Sequence, residues 1–280
     1  MLAELRERDA TGEIAEIYAE IRRLWAVPYV SSLQRHLATR PGWLPWTWAA
    51  LAPVFTSGLA QTAAWRAAEG LVVPPLAPIS REALAVWGVD ASGERAIRAI
   101  CASFVRVSPV NLVLSGLLRR LLNGDRPAGT RVTARWVPPS SVGALPPLVE
   151  PAAMPAAQQA VLASLGTTVD GQPFVPGLYR MLAGWPAFLA HLATVLRPKL
   201  ADPSTLAAGQ RLLAAVDAEI PEVFAALPAL PPAPPMPAER EFTAIRSALD
   251  TYRKTSPEMV VCGRMIGDAL PGPGRGESIR

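Results

Sequence analysis

The sequence has few of the residues from which metal centres and disulfide frameworks are built. It contains two cysteines and two histidines in 280 residues. Neither histidine has a partner at the spacing that metal ligands require, so we expect no metal and no other cofactor. Cys101 and Cys262 lie in apolar segments with helical periodicity, which predicts buried free thiols in a reducing compartment.

Charge is also scarce and evenly spread. Charged residues make up 18% of the chain and the net charge is +4, with no basic stripe that carries interleaved aromatic residues. Nucleic-acid binding is therefore not expected. The N-terminal MLAELRERDATGEIAEIY has no signal-peptide core, and no apolar run approaches the roughly 20 residues of a membrane span. We expect a soluble, cytoplasmic protein that binds neither nucleic acid nor membrane.

Two common catalytic signatures are missing as well. The segment VDGQPFVPG (169–177) has too few glycines for a phosphate-binding or dinucleotide-binding loop. No nucleophile-elbow sequence is present, which argues against a Ser-His-Asp hydrolase.

The sequence does contain an internal repetition. YVSSLQRHLATRPGWLPWTWAALAP (29–53) aligns without a gap on FVPGLYRMLAGWPAFLAHLATVLRP (174–198) at an offset of 145 residues. ERAIRAICASFVRVSP (94–109) aligns on FTAIRSALDTYRKTSP (242–257) at an offset of 148. Matching elements in the same order predict a duplicated structural unit.

Both copies have the periodicity of helices. Ile14, Ile17, Tyr18 and Ile21 follow helical spacing, and no segment shows the alternation typical of strands. Further helical segments are 57–70, 93–106, 109–122, 206–218, 240–253 and 257–267. We predict an all-α fold with a helical repeat over 1–130, a proline-rich linker over 131–165 and a second repeat over 166–280. Two such halves are expected to meet about a pseudo-twofold axis with a ligand site at their junction.

The order of these segments resembles the group I 2-haloacid dehalogenases. The resemblance is carried by GEIAEIYAEIRRLWAVPYV, LQRHLATRPGWLPWTWAALAP, SPVNLVLSGLLRRLLNGDRPAG and FVPGLYRMLAGWPAFL, which cover most of 12–128 and 170–198. It implies an all-helical fold of two tandem repeats with the active site between them. It also implies that halide is displaced from the sp³ α-carbon of a short acid by water, which a carboxylate activates directly.

The sequence departs from the family at its polar positions. The family's aspartate precedes the Tyr-Arg of the second repeat, where this chain has Leu178. Positions that the family fills with Thr, Glu and Asn hold Ser57, Gln61, Ser108 and Ser31. A leucine cannot accept a proton, and a glutamine can orient a substrate but cannot act as a base. The departures put the family's water-activating step in doubt.

Three residues are candidates for catalysis. Asp170 can reach the junction from the loop before Leu178, although an Asp-Gly pair is also typical of a turn. His191 has helical spacing with apolar neighbours and faces inward, either as an acid or base or as a hydrogen-bonded core residue. Tyr29 carries a hydroxyl able to orient a carboxylate, an amine or a leaving group.

The substrate-binding residues are predicted from the resemblance and from the repeat. Trp25 and Tyr29 match positions that line the family's pocket, and Tyr179 offers a second hydroxyl. The full binding set is Trp25, Ser31, Ser32, Ser57, Gln61, Ser108, Leu178 and Tyr179. An arginine such as Arg35 or Arg180 is a candidate for binding the departing anion.

The missing aspartate favours a nucleophile that is part of the substrate. We predict an enzyme that displaces halide, or a comparable anion such as sulfate, from an sp³ carbon of a small carboxylate or amine. An internal amine would close a small ring such as an aziridine, which depends on proximity and leaving-group stabilisation more than on a strong base.

Two alternatives stay open at this point. One is a hydrolytic dehalogenase that uses Asp170 or His191 as a relocated base. The other is a non-catalytic relative that binds a small acid or a partner protein. A homo-oligomer, or a complex with a related chain that completes the site, is compatible with each of these functions.

Overall fold

Helices account for most of the chain, and the all-α prediction is confirmed. The computed structural model describes residues 3–127, 129, 136–169, 171–230 and 241–272. The first half contains α1 (Gly12–Trp25), α2 (Ser32–Leu37), α3 (Trp43–Thr56), α4 (Leu59–Glu69), α5 (Arg81–Val86) and α6 (Ala91–Leu122). The second half contains α7 (Ala156–Ala163), strands β1 (Thr167–Val169) and β2 (Gln172–Phe174), α8 (Gly177–Leu182), α9 (Pro186–Leu200), α10 (Pro203–Ala225) and α11 (Phe242–Ala269).

The centre of the fold is the contact between α6 and α11, the longest helix of each half. Their buried faces belong to a hydrophobic core that draws on both halves. Sequence periodicity predicts separate helices before and after Pro109 and Pro257, but each long helix runs through its proline. Both prolines are buried, so packing outweighs the roughly 3 kcal/mol that a proline costs inside a helix.

The length of α6 changes one expectation about membranes. This helix is long enough to cross a bilayer, and an 18-residue stretch of it is sufficiently apolar. No such segment was expected from the sequence. In the fold, 83% of that stretch is buried inside the protein. The stretch is therefore accounted for as the core face of a central helix.

A short β-hairpin precedes α8, which the helical prediction does not include. Its strands are antiparallel, with Thr167 opposite Phe174. Gly171 in the turn has φ 72°, a left-handed conformation that glycine adopts without strain. Strands of three residues are too short to show an alternating pattern, so they could not be predicted from periodicity. Asp170 lies outside the described residues.

Two pairs of positions keep the offsets found in the sequence, while the duplication itself stays a prediction. α2 and α8 begin and end 145 residues apart, and Pro109 and Pro257 are 148 apart. The proposed linker is less simple than predicted, because α7 lies inside 131–165. Residues 136–150 have no helix or strand, and 131–135 lie outside the described residues. The boundaries of the two repeats stay a prediction.

The two cysteines lie on the central helices. Cys101 and Cys262 are buried and free, as predicted. Burial raises the pKa of Cys101 to about 12 and raises that of Cys262 further. Both thiols are therefore protonated at neutral pH and unsuited to act as nucleophiles.

Candidate active site

A cavity of about 50 Å³ lies between the two halves of the chain. Its walls come chiefly from four segments, 29–35 and 104–111 in the first half and 174–181 and 252–259 in the second. Segment 29–35 corresponds to 174–181 at the offset of 145 residues found in the sequence, and segment 104–111 corresponds to 252–259 at the offset of 148. The volume admits about four water-sized groups, so the cavity suits a molecule of few heavy atoms.

The cavity lies where two short helices begin. Ser31 caps the N-terminus of α2 and Pro176 that of α8, and both have extended backbone conformations. The residues at each helix entry therefore face the junction, while the apolar residues one turn later pack into the core. The opposite walls come from α6 and α11, close to their internal prolines.

An amide of α6 organises the first-half wall. Asn111 donates from Nδ2 to Ser31 Oγ at 2.9 Å and accepts at Oδ1 from Gln34 Nε2 at 3.0 Å. Asn111 and Gln34 are buried, and neither was predicted as a site residue. The available signal was an asparagine inside the apolar run PVNLVL, because a polar residue in a buried helix needs a partner.

Two tyrosines place hydroxyl groups at the cavity. Tyr29 and Tyr252 are 7% and 5% exposed, and among the described residues neither hydroxyl has a hydrogen-bond partner. Burial raises the pKa of both phenols well above the usual value. Both groups are therefore protonated donors at neutral pH. Tyr252 was identified from the sequence only as the counterpart of Phe104.

A buried ion cluster lies beside the cavity. Arg35, which lines the cavity, donates from Nη2 to Glu4 Oε2 at 2.7 Å and to Ser32 Oγ at 3.3 Å. Arg180, the counterpart of Arg35, reaches the same Glu4 oxygen at 3.4 Å and the half-exposed Glu150 at 3.5 Å. Leu5 N donates to the carbonyl oxygen of Arg35 at 3.0 Å, which fixes the N-terminal segment over the cluster.

The cavity wall carries donors but no carboxylate. Among the described residues that line it there is no aspartate, glutamate or histidine. Glu4 belongs to the ion cluster beside the cavity, where it is the counter-ion of Arg35 and Arg180. The wall can therefore bind and orient an anion, while an obvious proton acceptor for water is missing from its described part.

Solved structures with the same architecture are known. A D-2-haloacid dehalogenase mutant superposes with a TM-score of 0.72 at 18% identity, over 96% of each chain. The fold is that of the D-2-haloacid dehalogenases. A mutant in complex with D-2-CPA gives a TM-score of 0.71, and the enzyme in complex with L-LA gives 0.70, each at 20% identity and 96% coverage of both chains. No family model and no curated protein matches the sequence.

Within this dehalogenase-like fold, four of the predicted site residues meet at the cavity. They are Tyr29, Ser31, Ser32 and Ser108. Ser31 is held by Asn111 and Ser32 by Arg35. These four positions precede a helix or lie at the prolines of the long helices, where the two halves approach each other.

Three other predicted residues lie in the first half away from the cavity wall, with Trp25 and Gln61 buried and Ser57 partly exposed. Gln61 donates from Nε2 to the carbonyl oxygens of Leu24 at 3.2 Å and Phe55 at 2.9 Å, which ties α4 to α1 and α3. Trp25 is fully buried and packs against Phe55. Ser57 donates to the carbonyl oxygen of Val54 at 3.2 Å. Their contacts support the helices around the site.

Leu178 and Tyr179 point away from the cavity wall. Leu178 is fully buried. The Tyr179 hydroxyl lies 3.1 Å from Glu258 Oε1 and 3.4 Å from Cys262 Sγ. Burial raises the pKa of Glu258, which lines a separate cavity of about 150 Å³ between α10 and α11. The neighbour of Glu258 on α11, Met259, faces the junction cavity instead.

His191, another catalytic candidate, does not line the cavity. The His191 ring stacks on Trp87, with 4.1 Å between ring centroids, and is partly exposed. Burial lowers the pKa of His191, so its imidazole is neutral at pH 7. Asp170 lies outside the described residues. Within the described ranges no group of three or more His, Cys, Asp or Glu side chains is arranged to hold a metal ion.

Proposed function

We propose that the protein is an enzyme that displaces an anionic leaving group from an sp³ carbon, with an amine of the same substrate as the nucleophile. The leaving group is halide or a comparable anion such as sulfate. The observation that carries the proposal is the composition of the junction cavity. Its described wall offers hydroxyl, amide and guanidinium donors but neither a carboxylate nor an imidazole.

The proposed reaction needs no base in the cavity. The substrate reacts as the free amine, whose ammonium proton has gone to solvent, and the nitrogen lone pair attacks the carbon opposite the leaving group, so that the C–N bond forms as the bond to the anion breaks. The anion departs with the electron pair, and the new ring ammonium then releases its proton to solvent. The cavity would hold nucleophile and carbon in proximity, and its donors would stabilise the charge that develops on the leaving group.

Hydrolysis is the second candidate, because the structural relatives are named D-2-haloacid dehalogenases and one was solved with D-2-CPA. Water needs a positioned base, which typically supplies a factor of about 10²–10⁴ in rate. Of the two predicted bases, His191 stacks on Trp87 away from the cavity, which leaves Asp170 as the residue to test. A purely structural role is disfavoured by the buried polar wall of Tyr29, Ser31 and Asn111.

The proposal is tested with two chlorinated acids of similar size. 3-Amino-2-chloropropanoate carries an amine next to the carbon that bears chloride, and 2-chloropropanoate does not. We expect enzyme-dependent chloride release from the first with aziridine-2-carboxylate as product, and release at least tenfold slower from the second. Denatured enzyme measures the uncatalysed ring closure.

The same reactions in H₂¹⁸O decide between the two candidates. Ring closure leaves no ¹⁸O in the product. Lactate that contains ¹⁸O, formed from 2-chloropropanoate at a comparable rate and lost in Asp170→Asn, would replace the amine proposal with hydrolysis.

A further inference from the structure

We infer that Tyr29, Tyr252 and Arg35 form a binding site for one small monovalent anion at one end of the junction cavity. The inference deepens the proposed function and rests on it for the role of the anion, which is either the carboxylate of the substrate or the departing halide. Both the carboxylate and the halide accept hydrogen bonds from phenol and guanidinium groups.

The first observation is a contrast among the four tyrosines of the chain. Tyr18 donates to the carbonyl oxygen of Leu5 at 3.2 Å, and Tyr179 donates to Glu258 at 3.1 Å. Tyr29 and Tyr252, the two at the cavity, are buried without a partner among the described residues. Buried hydroxyls are normally hydrogen-bonded, so the unused donors point to an acceptor that enters the cavity.

The second observation is that each cavity tyrosine aligns with a phenylalanine in the other half. Tyr29 corresponds to Phe174, and Phe104 corresponds to Tyr252. The Tyr29 ring packs on Phe104 and the Tyr252 ring on Phe174, each with 5.5 Å between centroids. Each half thus contributes one hydroxyl, from the entry of α2 in one case and from α11 in the other.

Both hydroxyls lie within range of the same positive charge. Burial raises the pKa of each phenol, the charge of Glu4 raises that of Tyr252 further, and the Arg35 charge lowers the pKa of both. Arg35 lines the cavity, and its Nε also has no partner in the described part of the chain. Three unsatisfied donors, two on segment 29–35 and one on segment 252–259, therefore belong to residues that line the cavity.

The third observation is the charge of the buried ion cluster. Arg35 and Arg180 are buried and share one counter-ion, Glu4, whose side chain is 10% exposed. Glu150 also reaches Arg180, but its side chain is about half exposed, so solvent screens its charge. The buried part of the cluster thus has an excess of one positive charge. A monovalent anion in the adjacent cavity would compensate that charge, whereas a cation would add to it.

The test measures anion binding by calorimetry in chloride-free buffer, with potassium gluconate keeping the ionic strength constant. Sodium bromide represents the leaving group and sodium propanoate the substrate carboxylate. We expect at least one of them to bind, and Tyr29→Phe and Tyr252→Phe each to weaken binding about tenfold or more, as for hydrogen bonds to a charged acceptor. Bromide binding alone would assign the site to the leaving group, and propanoate binding alone to the carboxylate.

Tyr18→Phe is the matched control, because it removes a hydroxyl near Arg35 that already has a protein partner. It should change anion affinity by less than about twofold. The inference is overturned if neither anion binds, or if both cavity variants bind as tightly as the unaltered protein. Binding that depends on the two tyrosines would stand even if no displacement reaction were found. Conversely, ring closure with an unchanged KM in the double Tyr→Phe variant would contradict the site but not the reaction.

Discussion

The two walls of the junction cavity have corresponding backbones but different chemistry. The first-half wall presents Tyr29, Ser31, Ser32 and Asn111. At the corresponding positions the second-half wall presents Phe174, Pro176, Gly177 and Met259. Thr255 and Tyr252 are exceptions. They correspond to Val107 and Phe104 of the first half and are the more polar residue of each pair.

The difference separates what shapes the cavity from what orients its contents. The matched apolar residues behind both walls pack the helices, so each half contributes similarly to the shape of the cavity. More of the polar groups lie on the first-half wall, and Tyr252 adds a phenol from the second half, so the two ends of a small molecule meet different surroundings. A symmetric cavity would bind such a molecule in two orientations.

The largest expected effect concerns the ion cluster beside the cavity. Arg35 and Arg180 share Glu4, so Glu4→Gln leaves two buried like charges without their counter-ion. We expect the free energy of unfolding to fall by about 3–5 kcal/mol, measured by urea denaturation. Glu150→Gln is the control, because this half-exposed pair should contribute less than about 1 kcal/mol. Equal losses in the two variants would contradict the role assigned to Glu4.

An intermediate effect is expected when the first wall is made to resemble the second. Asn111→Met copies Met259 and leaves Ser31 and Gln34 without a hydrogen-bond partner. We expect about 1–3 kcal/mol of lost stability and at least a tenfold lower kcat/KM for ring closure. Met259→Leu keeps an apolar group of similar volume and should cost less than about 1.5 kcal/mol. Unchanged kcat/KM in Asn111→Met would argue against a polar wall that orients the substrate.

The smallest effect concerns the carboxyl on the far side of α11. Burial raises the pKa of Glu258, against the hydrogen bond from Tyr179 and the charge of Lys254. The fold therefore favours the protonated form, and stability falls as the pH rises from the ordinary pKa of 4.5 through the raised one. Glu258→Gln should raise Tm above that window by about 2–4 °C and change it little at pH 4.

The same variant should leave the kcat/KM for ring closure within about twofold, because Glu258 faces away from the junction cavity. Circular dichroism melts at pH 4 and pH 8, with the kinetic assay at pH 8, check both statements. A Tm that falls at pH 8, or a tenfold loss of activity, would show that the carboxylate is needed in its charged form.

The sequence predicts the helices and the place of the site better than the site's composition. The offsets of 145 and 148 locate the segments that meet at the junction, and Tyr29 and Ser31 belong to those segments. Gln61 and Leu178 belong to neighbouring helix turns whose orientation depends on packing, and the structure places both in the core. The continuity of α6 through Pro109 was also not predictable, because tertiary burial overrides the local effect of proline.

The residues missed by the sequence prediction are those that depend on distant contacts. Glu4 reaches Arg180 across 176 positions of the chain, and nothing in the local pattern of residues 1–10 marks it as buried. Tyr252 matters because its hydroxyl has no partner among the described residues, a property that only the surrounding structure defines. Asn111 gave a local signal as a polar residue in an apolar run, but its partners, Ser31 and Gln34, are 80 and 77 residues away.

The position of α6 has a consequence for the order of synthesis. Its core face is covered largely by α11, and 120 residues separate the end of one helix from the start of the other. At a synthesis rate of about 5–20 residues per second, about 6–24 s pass between completion of α6 and the start of α11. During that interval a helix with the length and hydropathy of a membrane span is incompletely covered. The nascent first half is therefore the form of this chain most exposed to aggregation and to mistaken insertion into a bilayer.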